Sequence, residues 1–578
     1  MKKLVPYFIL LTILLIALYW QGLSAPYFSV DDRALIEIPQ ITTGLNWTSV
    51  KTIFTPNTHI DYYPLRDLSY IIDKTLWPNS LFVARIHQLI YFSISATVLL
   101  LIALELGISF FWASSISFLW AIHPYHAESI LWLSGRKDVM ALCFALLSSF
   151  FFIKELKTSR GVFLGTTFFI ASLFCKASFI LLPFIPLSAF IFKIDLLKKR
   201  KILVISLLCA FIACLYSLGQ TWFYSSINPM QKIISMHERV ISSLVAFGRM
   251  IWGWFNPYAN IVDIENLPPW SQYHLHLLPF TLCVLILIGV GTYLIIKHKK
   301  KNFLLLPTSF ILLYLPISGL IFPHQNFYST RYFEPASLIL WISLMLLLNQ
   351  KKQEKWHSIF IAALIIFFSF LSFKESSTWA SSLAVRKKAF QEVPESLALK
   401  AQYFEELINA TRSKEENDKY YVEKNTLANE LEEACSQKEL NELNECKTFY
   451  YTAYYVNRYN GRFPEAQKYL KLYQKSLSPL TPLPFSLFRL EIEQKLSDDT
   501  INDNDILSWE QQRPTPVNPE FRLIDITFEC LKGHPQSAQK LYSDYMAKNL
   551  LNEKERDQFS NETLSPSITQ KLSSCIKN

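Results

Sequence analysis

The sequence predicts an all-α fold: a polytopic membrane domain followed by an external helical domain. Hydrophobic residues make up 51% of the 578 residues and recur as apolar runs of membrane-spanning length. Basic clusters fall in alternate loops. Residues 1–373 contain 29 basic and 16 acidic side chains, whereas residues 374–578 contain 27 basic and 31 acidic ones. The net charge of +9 is therefore the sum of +13 in the first part and −4 in the second. We interpret the second part as a soluble domain with its own core.

The membrane domain contains eleven predicted spans of roughly the length that crosses 30 Å of hydrocarbon. These are residues 4–20, 82–104, 108–122, 131–153, 161–175, 177–193, 202–222, 272–296, 303–322, 333–348 and 357–373. The basic clusters lie at Lys2-Lys3, Lys154–Arg160, Lys198–Lys201, Lys297–Lys301 and Lys351–Lys355. The positive-inside rule therefore predicts a cytoplasmic N-terminus and an external domain 374–578. A basic excess confined to the membrane domain indicates topology signals and anionic lipid headgroups, and argues against a nucleic-acid partner.

Two segments leave alternatives open. Lys2-Lys3, the first apolar run and Leu23-Ser24-Ala25 resemble a cleavable signal peptide, but the run is long for one, so we expect a retained span. Residues 239–256 are nearly long enough to cross, yet a further pass would place Lys297–Lys301 outside. We expect an amphipathic helix in the membrane interface, with a re-entrant hairpin as the alternative.

The external domain is predicted to be helical throughout. Residues 454–480 combine an aromatic helix face with Gly461 at a turn and Ala466 at a close approach, and residues 528–546 repeat the pattern more weakly. This is typical of tetratricopeptide-like (TPR-like) helix pairs, with a generic helical bundle as the alternative. We expect this domain to dock an acceptor or a partner, since nothing in it indicates catalysis.

Cysteine usage agrees with the predicted topology. Five cysteines lie within predicted spans, where the thiol packs as a small apolar group. The other four lie in the external domain, and an even number in an oxidising compartment predicts two disulfides. Proximity along the chain favours Cys435 with Cys446 and Cys530 with Cys575. No cysteine spacing indicates a zinc site.

The predicted external loops carry a series of motifs. In chain order these are Asp31-Asp32, Pro64-Leu65 with Arg66 nearby, His123-Pro124-Tyr125-His126-Ala127-Glu128, Gly135-Arg136-Lys137-Asp138, Cys175-Lys176 and Arg331-Tyr332. The series resembles the GT-C superfamily of glycosyltransferases that use polyprenyl-phosphate sugars. It is most similar to the membrane O-mannosyltransferases with a tetratricopeptide tail. The resemblance implies transfer of a sugar from a polyprenyl-phosphate donor to a protein or envelope glycolipid or polymer hydroxyl, with inversion.

The paired carboxylates Asp31 and Asp32 in loop 21–80 are the catalytic candidates. Sugar transfer needs a base that takes the proton of the acceptor hydroxyl. A loop at the external membrane surface can reach a donor whose sugar lies in water while its isoprenoid chain stays in lipid. A neighbouring like charge raises the pKa of one carboxylate toward the range useful for proton transfer. The alternative is a helix cap, which explains one aspartate but not both.

The histidine motif has three interpretations. His123, His126 and Glu128 can hydrogen-bond the donor phosphate or sugar, form a structural turn, or bind a divalent metal. We favour hydrogen bonding, because Pro124 disturbs regular helical spacing and no further ligand is evident; no cofactor is therefore assigned. Arg136 is predicted either to hold phosphate or to pair with Asp138 or Glu128.

The remaining predicted donor-binding residues are Lys176, Arg331 with Tyr332, and Arg66. Lys176 contacts lipid phosphate or extends its ammonium to the interface. Arg331 is external and close to the membrane, against the positive-inside trend, which favours phosphate contact.

Three function classes compete. The first is a membrane glycosyltransferase in a bacterial inner membrane, with a periplasmic tail. The second is a transporter, which requires charges within spans and paired repeats that the sequence lacks. The third is a non-catalytic membrane scaffold whose TPR-like tail recruits envelope proteins.

Overall fold

The computed structural model describes most of the chain. The described residues are 3–28, 32, 36, 38–55, 62–78, 80–155, 161–191, 199–227, 235–256, 305–320, 328–349, 355–410, 414–438, 446–460, 462–476, 484–498, 500–502, 504–506, 508, 519–532 and 534–548. Every regular element in these ranges is helical, so the all-α prediction is confirmed for them. The chain divides into two compact units, residues 1–393 and 394–578. The predicted functional boundary at residue 373 stays a prediction.

The helices of the first unit are α1 Leu4–Leu23, α2 Pro39–Thr42, α3 Trp47–Phe54, α4 Pro64–Leu76, α5 Leu81–Glu105, α6 Phe110–Ala121, α7 Ala127–Leu131, α8 Arg136–Glu155, α9 Gly161–Cys175, α10 Phe184–Ile191, α11 Lys199–Ile227, α12 Met236–Phe255, α13 Leu305–Tyr314, α14 Thr330–Leu348, α15 Lys355–Thr378 and α16 Ser382–Glu392. Short 3₁₀ turns lie at Pro124–His126, Leu133–Gly135, Ala177–Phe179 and Leu315–Ile317.

Three helices in the described ranges are long and apolar enough to cross a membrane. They are α1, α5 and α15, which correspond to predicted spans 4–20, 82–104 and 357–373. Five further apolar segments are shorter, namely Phe110–Ala121, Gly161–Cys175, Ala177–Ser188, Leu203–Gly219 and Leu305–Ile317. These helices indicate a membrane protein. The count of eleven passes stays a prediction, and span 272–296 lies outside the described residues.

Several hydroxyl side chains inside the apolar helices bond to backbone carbonyls. In α5, the hydroxyls of Ser93, Ser95 and Thr97 donate to carbonyl oxygens one turn earlier, at 2.9–3.0 Å. Between α8 and α9, Ser148 Oγ donates to the carbonyl of Gly165 at 2.8 Å. A Cβ on Gly165 would lie 2.5 Å from the Phe152 ring, so this close helix contact depends on glycine.

The first predicted external loop folds onto the start of α5. Ile41, Ile53 and Ile71 form a buried cluster with Tyr70 and other residues of α2–α5. Arg85, which is fully buried, donates to the carbonyls of residues 23, 25, 26 and 131. The buried guanidinium therefore satisfies carbonyls at the end of α1 and joins them to the end of α7.

The amphipathic helix α12 begins with a capping box, in which Ser235 and Glu238 bond each other's backbone and side chains. Arg239 donates to the carbonyl of Gly319, and Arg249 pairs with Glu392 at 3.7 Å. The helix is present as predicted; its position in the membrane interface stays a prediction.

The second unit contains α17 Leu397–Ala410, α18 Lys414–Ser436, α19 Lys447–Tyr459, α20 Phe463–Ser476, α21 Pro484–Ser497, α22 Pro519–Leu531 and α23 Pro535–Lys548. Helices α19 and α20 pack as a pair, with Ala466 fully buried beside Tyr454 and Leu470. The predicted Cys435–Cys446 disulfide is confirmed. Cys530 is also disulfide-bonded, and Cys575 lies outside the described residues. The TPR-like assignment stays a prediction.

Candidate active site

Of the two aspartates in the first loop, Asp32 is described and Asp31 lies outside the described residues. Asp32 is fully buried. Its Oδ2 accepts the backbone N–H of Phe28, and its Oδ1 accepts the N–H of Ser134, both at 3.0 Å. Both carboxylate oxygens therefore contact backbone amides, and they join the first loop to the turn just before α8.

The histidine motif folds as a buried 3₁₀ turn between α6 and α7. His123 Nδ1 accepts the backbone N–H of Tyr125 at 3.2 Å, so the ring proton resides on Nε2, which donates to the carbonyl of Trp254 at 3.2 Å. Burial lowers the pKa of His123 and of His126 to about 3, so both imidazoles are neutral near pH 7. His126 Nδ1 forms a hydrogen bond with Glu334 Oε1 at 2.9 Å.

Glu128 on α7 caps the N-terminus of α14. Its carboxylate accepts the hydroxyl of Ser329 and both the N–H (2.9 Å) and the hydroxyl (2.5 Å) of Thr330. The same carboxylate lies 3.3 Å from Arg331 Nη1. A carboxylate at a helix N-terminus is favourable because exposed amide dipoles point toward it. Glu128 therefore fixes the segment that carries the predicted phosphate-binding arginine.

Arg331 and Lys176 share Asp138 as a partner. Lys176 Nζ lies 2.5 Å from Asp138 Oδ1, and Arg331 Nε lies 3.7 Å from Asp138 Oδ2. The Arg331 guanidinium stacks 4.1 Å from the centroid of the Trp132 ring, and the Lys176 ammonium lies 4.7 Å from that of Tyr332. We call Glu128, Asp138, Lys176 and Arg331 the charged cluster; it contains two cations and two anions.

Burial changes the pKa values of Lys176 and of the adjacent Tyr332 in opposite directions. Desolvation lowers the pKa of the Lys176 ammonium, and the neighbouring Asp138 carboxylate opposes that change. Burial also raises the pKa of the Tyr332 phenol, which stays protonated and can donate a hydrogen bond. The cluster therefore places cationic donors beside a phenolic donor, and charge-assisted bonds from such groups suit anionic oxygens.

Arg136 lies in the first turn of α8 and contacts α4, the helix that carries Arg66. Arg136 Nη1 pairs with Asp73 Oδ2 at 2.5 Å, and its Nη2 donates to the carbonyl of Ala84 at 2.5 Å. Its internal partner is thus Asp73 and not Asp138 or Glu128. Arg66 Nε donates to Asp67 Oδ1 at 2.8 Å. The structure therefore brings Glu128, Asp138, Lys176, Arg331 and Tyr332 together, and these two arginines are outside that group.

Among the described residues, no group of three or more His, Cys, Asp or Glu side chains is arranged to hold a metal ion. The ring centroids of His123 and His126 are 6.4 Å apart. His123 bonds to α12, whereas His126 and Glu128 both bond to α14. The choice among the three interpretations of this motif stays a prediction.

Several contacting residues were not predicted from the sequence. Asp73, Trp132 and Glu334 contact Arg136, Arg331 and His126. Glu334 lies within predicted span 333–348, so the expectation that the spans carry no charge is wrong at this position. A charge inside an apolar span is a recognised signal of function. Asp73 on the amphipathic helix α4 carried no comparable signal.

Comparison with known proteins supports a distant O-mannosyltransferase-like relationship. No family model matches the chain. A 169-residue stretch is 28% identical to mouse "Protein O-mannosyl-transferase TMTC2" and 27% identical to the human protein of that name. Each match covers 26% of this chain and 20% of the relative. The match thus spans about a fifth of the relatives' length.

Proposed function

We propose that the chain transfers a sugar from a polyprenyl-phosphate donor to a hydroxyl of a protein or an envelope glycolipid or polymer. We place the reaction at the external face of a bacterial inner membrane, in the GT-C manner. The main support is the charged cluster, in which residues from α7, the start of α8, the end of α9 and the start of α14 meet. The partial similarity to O-mannosyltransferases supports the same reaction class.

In this proposal Arg331 and Lys176 bind the donor phosphate. A phosphate oxygen can replace Asp138 as a partner of these cations, because carboxylate and phosphate both form charge-assisted hydrogen bonds with lysine and arginine. The cations also stabilise the negative charge that develops on the leaving polyprenyl phosphate. Tyr332 adds a phenolic donor from the same turn. Arg136 and Arg66 support this surface from the α4 side.

We assign the base to Asp31. The two backbone contacts of Asp32 favour a positioning role for it, since they hold the loop in place. Asp31 accepts the proton of the acceptor hydroxyl, the acceptor oxygen bonds to the anomeric carbon, and the bond from that carbon to the phosphate breaks. The electron pair leaves with polyprenyl phosphate, and the anomeric configuration inverts.

His123, His126 and Glu128 complete the donor site. The neutral imidazoles bond Trp254 and Glu334 and hold this turn in place without repelling the cationic pair, and Glu128 sets the position of Arg331. We assign acceptor docking to the second unit, whose paired helices suit a TPR-like surface.

The test compares cells that lack the chain with cells complemented by wild type, Asp31→Asn or the control Asp498→Asn. Asp498 is exposed in the second unit, so its substitution leaves the first unit unchanged. Mass spectrometry of envelope proteins and glycolipids should show a missing sugar, restored by wild type and by Asp498→Asn but not by Asp31→Asn. Full restoration by an Asp31→Asn, Asp32→Asn double variant would instead favour the scaffold function.

A further inference from the structure

A second group of polar residues lies on the α4 side of α8, and its members Asp73 and His87 have no part in the proposed chemistry. The Asp73 carboxylate bridges two groups: Oδ2 pairs with Arg136 at 2.5 Å, and Oδ1 bonds His87 Nδ1. Arg136 is fully buried and is also held by Ser69 Oγ at 3.2 Å and by the Tyr70 ring at 4.4 Å. We call Arg136, Asp73 and His87 the relay.

The relay fixes one orientation and one tautomer of His87. A carboxylate paired with arginine acts only as an acceptor, so Nδ1 donates to Asp73. In the neutral imidazole the lone pair then lies on Nε2, directed away from Asp73. This arrangement follows the same logic as the carboxylate that orients histidine in hydrolytic triads. The side chain of His87 retains 28% exposure.

The relay borders a small cavity with an aromatic wall. Asp73, Lys74, Trp77 and Ser80 line it. Trp77 is 43% exposed, and its ring meets that of His87 edge to face at 5.2 Å. An exposed indole face beside an oriented acceptor and a carboxylate suits a sugar ring, which has one apolar C–H face and a rim of hydroxyls.

The relay and the charged cluster flank the same helix turn. Arg136 and Asp138 are two residues apart on α8, so their side chains project about 200° apart around the axis. Arg136 contacts α4 and α5, whereas Asp138 contacts Lys176 and Arg331. The two sites are therefore separated by roughly one helix diameter, about 10 Å. A ligand on the relay side is thus distinct from the donor phosphate.

We propose that Trp77 and His87 bind a saccharide of the acceptor, with Asp73 and Arg136 as positioning residues. The sugar ring stacks on the Trp77 face, and one of its hydroxyls donates to His87 Nε2. This inference rests on the proposed glycosyl transfer, and it makes the acceptor a glycan or glycolipid rather than an unmodified serine or threonine side chain.

Two histidine substitutions separate ligand binding from folding. In His87→Asn the amide nitrogen stands near the Nδ1 position and retains the bond to Asp73, but the Nε2 acceptor is lost. In His87→Gln the side-chain oxygen reaches the Nε2 position, so part of the hydroxyl contact is retained. Trp77→Leu removes the stacking face, and Trp47→Leu, at a 79% exposed tryptophan on α3, is the matched control.

Binding is measured by saturation-transfer NMR on the purified full chain in detergent, with methyl glycosides and a threonine peptide as probes. We expect a methyl glycoside signal for wild type and Trp47→Leu that is weaker in His87→Asn and Trp77→Leu and partly restored in His87→Gln. The loss of one neutral hydrogen bond predicts an affinity change of about two- to tenfold. No glycoside signal for wild type, or one that His87→Asn leaves unchanged, would overturn the proposal. A signal from the threonine peptide alone would also overturn it.

Transfer kinetics separate this inference from the function on which it rests. If transfer occurs, His87→Asn should raise KM for a glycan acceptor and leave KM for the donor and kcat unchanged. Wild-type transfer with an unchanged acceptor KM in His87→Asn contradicts only the saccharide site. Glycoside binding without any transfer by wild type contradicts the proposed function and leaves the binding site standing.

Discussion

Replacement of Glu128 by glutamine tests how the charged cluster is held together. The substitution preserves shape but removes the negative charge and turns one acceptor oxygen into a donor. Glu128 is 3% exposed and lies 3.3 Å from Arg331 Nη1. Loss of one partner of a buried ion pair costs about 3–5 kcal/mol. Since Arg331 retains Asp138 at 3.7 Å, we expect the low end, about 3 kcal/mol.

The matched control is Glu238→Gln. Glu238 closes the exposed capping box of α12, so it makes the same type of helix-end contact with no buried arginine beside it. Glutamine also serves in a capping box, so this change should be nearly neutral. The difference between the two variants thus isolates the charge of Glu128 from its capping hydrogen bonds.

The assay combines chemical unfolding in detergent with donor binding measured on the folded protein. Glu128→Gln should unfold at a clearly lower denaturant concentration than Glu238→Gln and should bind a polyprenyl-phosphate sugar more weakly, because Arg331 loses its fixed position. If both variants matched wild type in stability and donor affinity, the assignment of Glu128 as the residue that positions Arg331 would be refuted.

Three further predictions follow from the same contacts. His123 and His126 stay neutral in the folded protein down to about pH 3, whereas unfolded histidine binds a proton below about pH 6.5. The free energy of unfolding should therefore decrease as the pH is lowered from about 6.5 to about 3, by up to about 1.4 kcal/mol per pH unit for each histidine. A pH series of unfolding midpoints checks this, and His123→Gln should lessen the slope. Lys176→Met should weaken donor binding about tenfold or more. The control is Lys400→Met, which removes a lysine that pairs with Glu430 in the second unit. The donor affinity of wild type should also decline as the pH rises through the lowered pKa of Lys176, because the ammonium loses its charge. Loss of the Cys435–Cys446 bridge, which closes a short loop with a sequence separation of 11, should destabilise the second unit by about 3 kcal/mol. Denaturation of the Cys435→Ser, Cys446→Ser variant against oxidised wild type measures this loss, and reduced wild type should match the variant.

The apolar runs predicted the positions of α1, α5 and α15, because a long uninterrupted hydrophobic segment folds as a helix of membrane-spanning length. Helix starts were less predictable. Predicted span 131–153 begins as a helix only at Arg136, since Leu133–Gly135 forms a tight turn. At this turn a Cβ on Gly135 would lie 3.3 Å from the carbonyl oxygen of Ser129. Span 177–193 likewise becomes α-helical only from Phe184, directly after Pro183.

The site motifs indicated which side chains carry charge but not how they pair. Arg136 bonds Asp73, 63 positions earlier, and Glu128 bonds Thr330, 202 positions later. Such partners depend on how helices far apart in the chain pack together, and no local spacing encodes that packing. The paired aspartates show the same limit, because only the fold reveals the backbone contacts that distinguish Asp32.

The most direct test of the central claim is sugar transfer by the purified chain in proteoliposomes that contain a radiolabelled polyprenyl-phosphate sugar. Wild type should consume the donor, release polyprenyl phosphate and label an acceptor, whereas Asp31→Asn should bind the donor with turnover reduced by roughly 10²–10⁴. Donor consumption by Asp31→Asn at the wild-type rate would contradict the assignment of the base. An intact donor in the presence of wild type and envelope acceptors would contradict the glycosyltransferase itself.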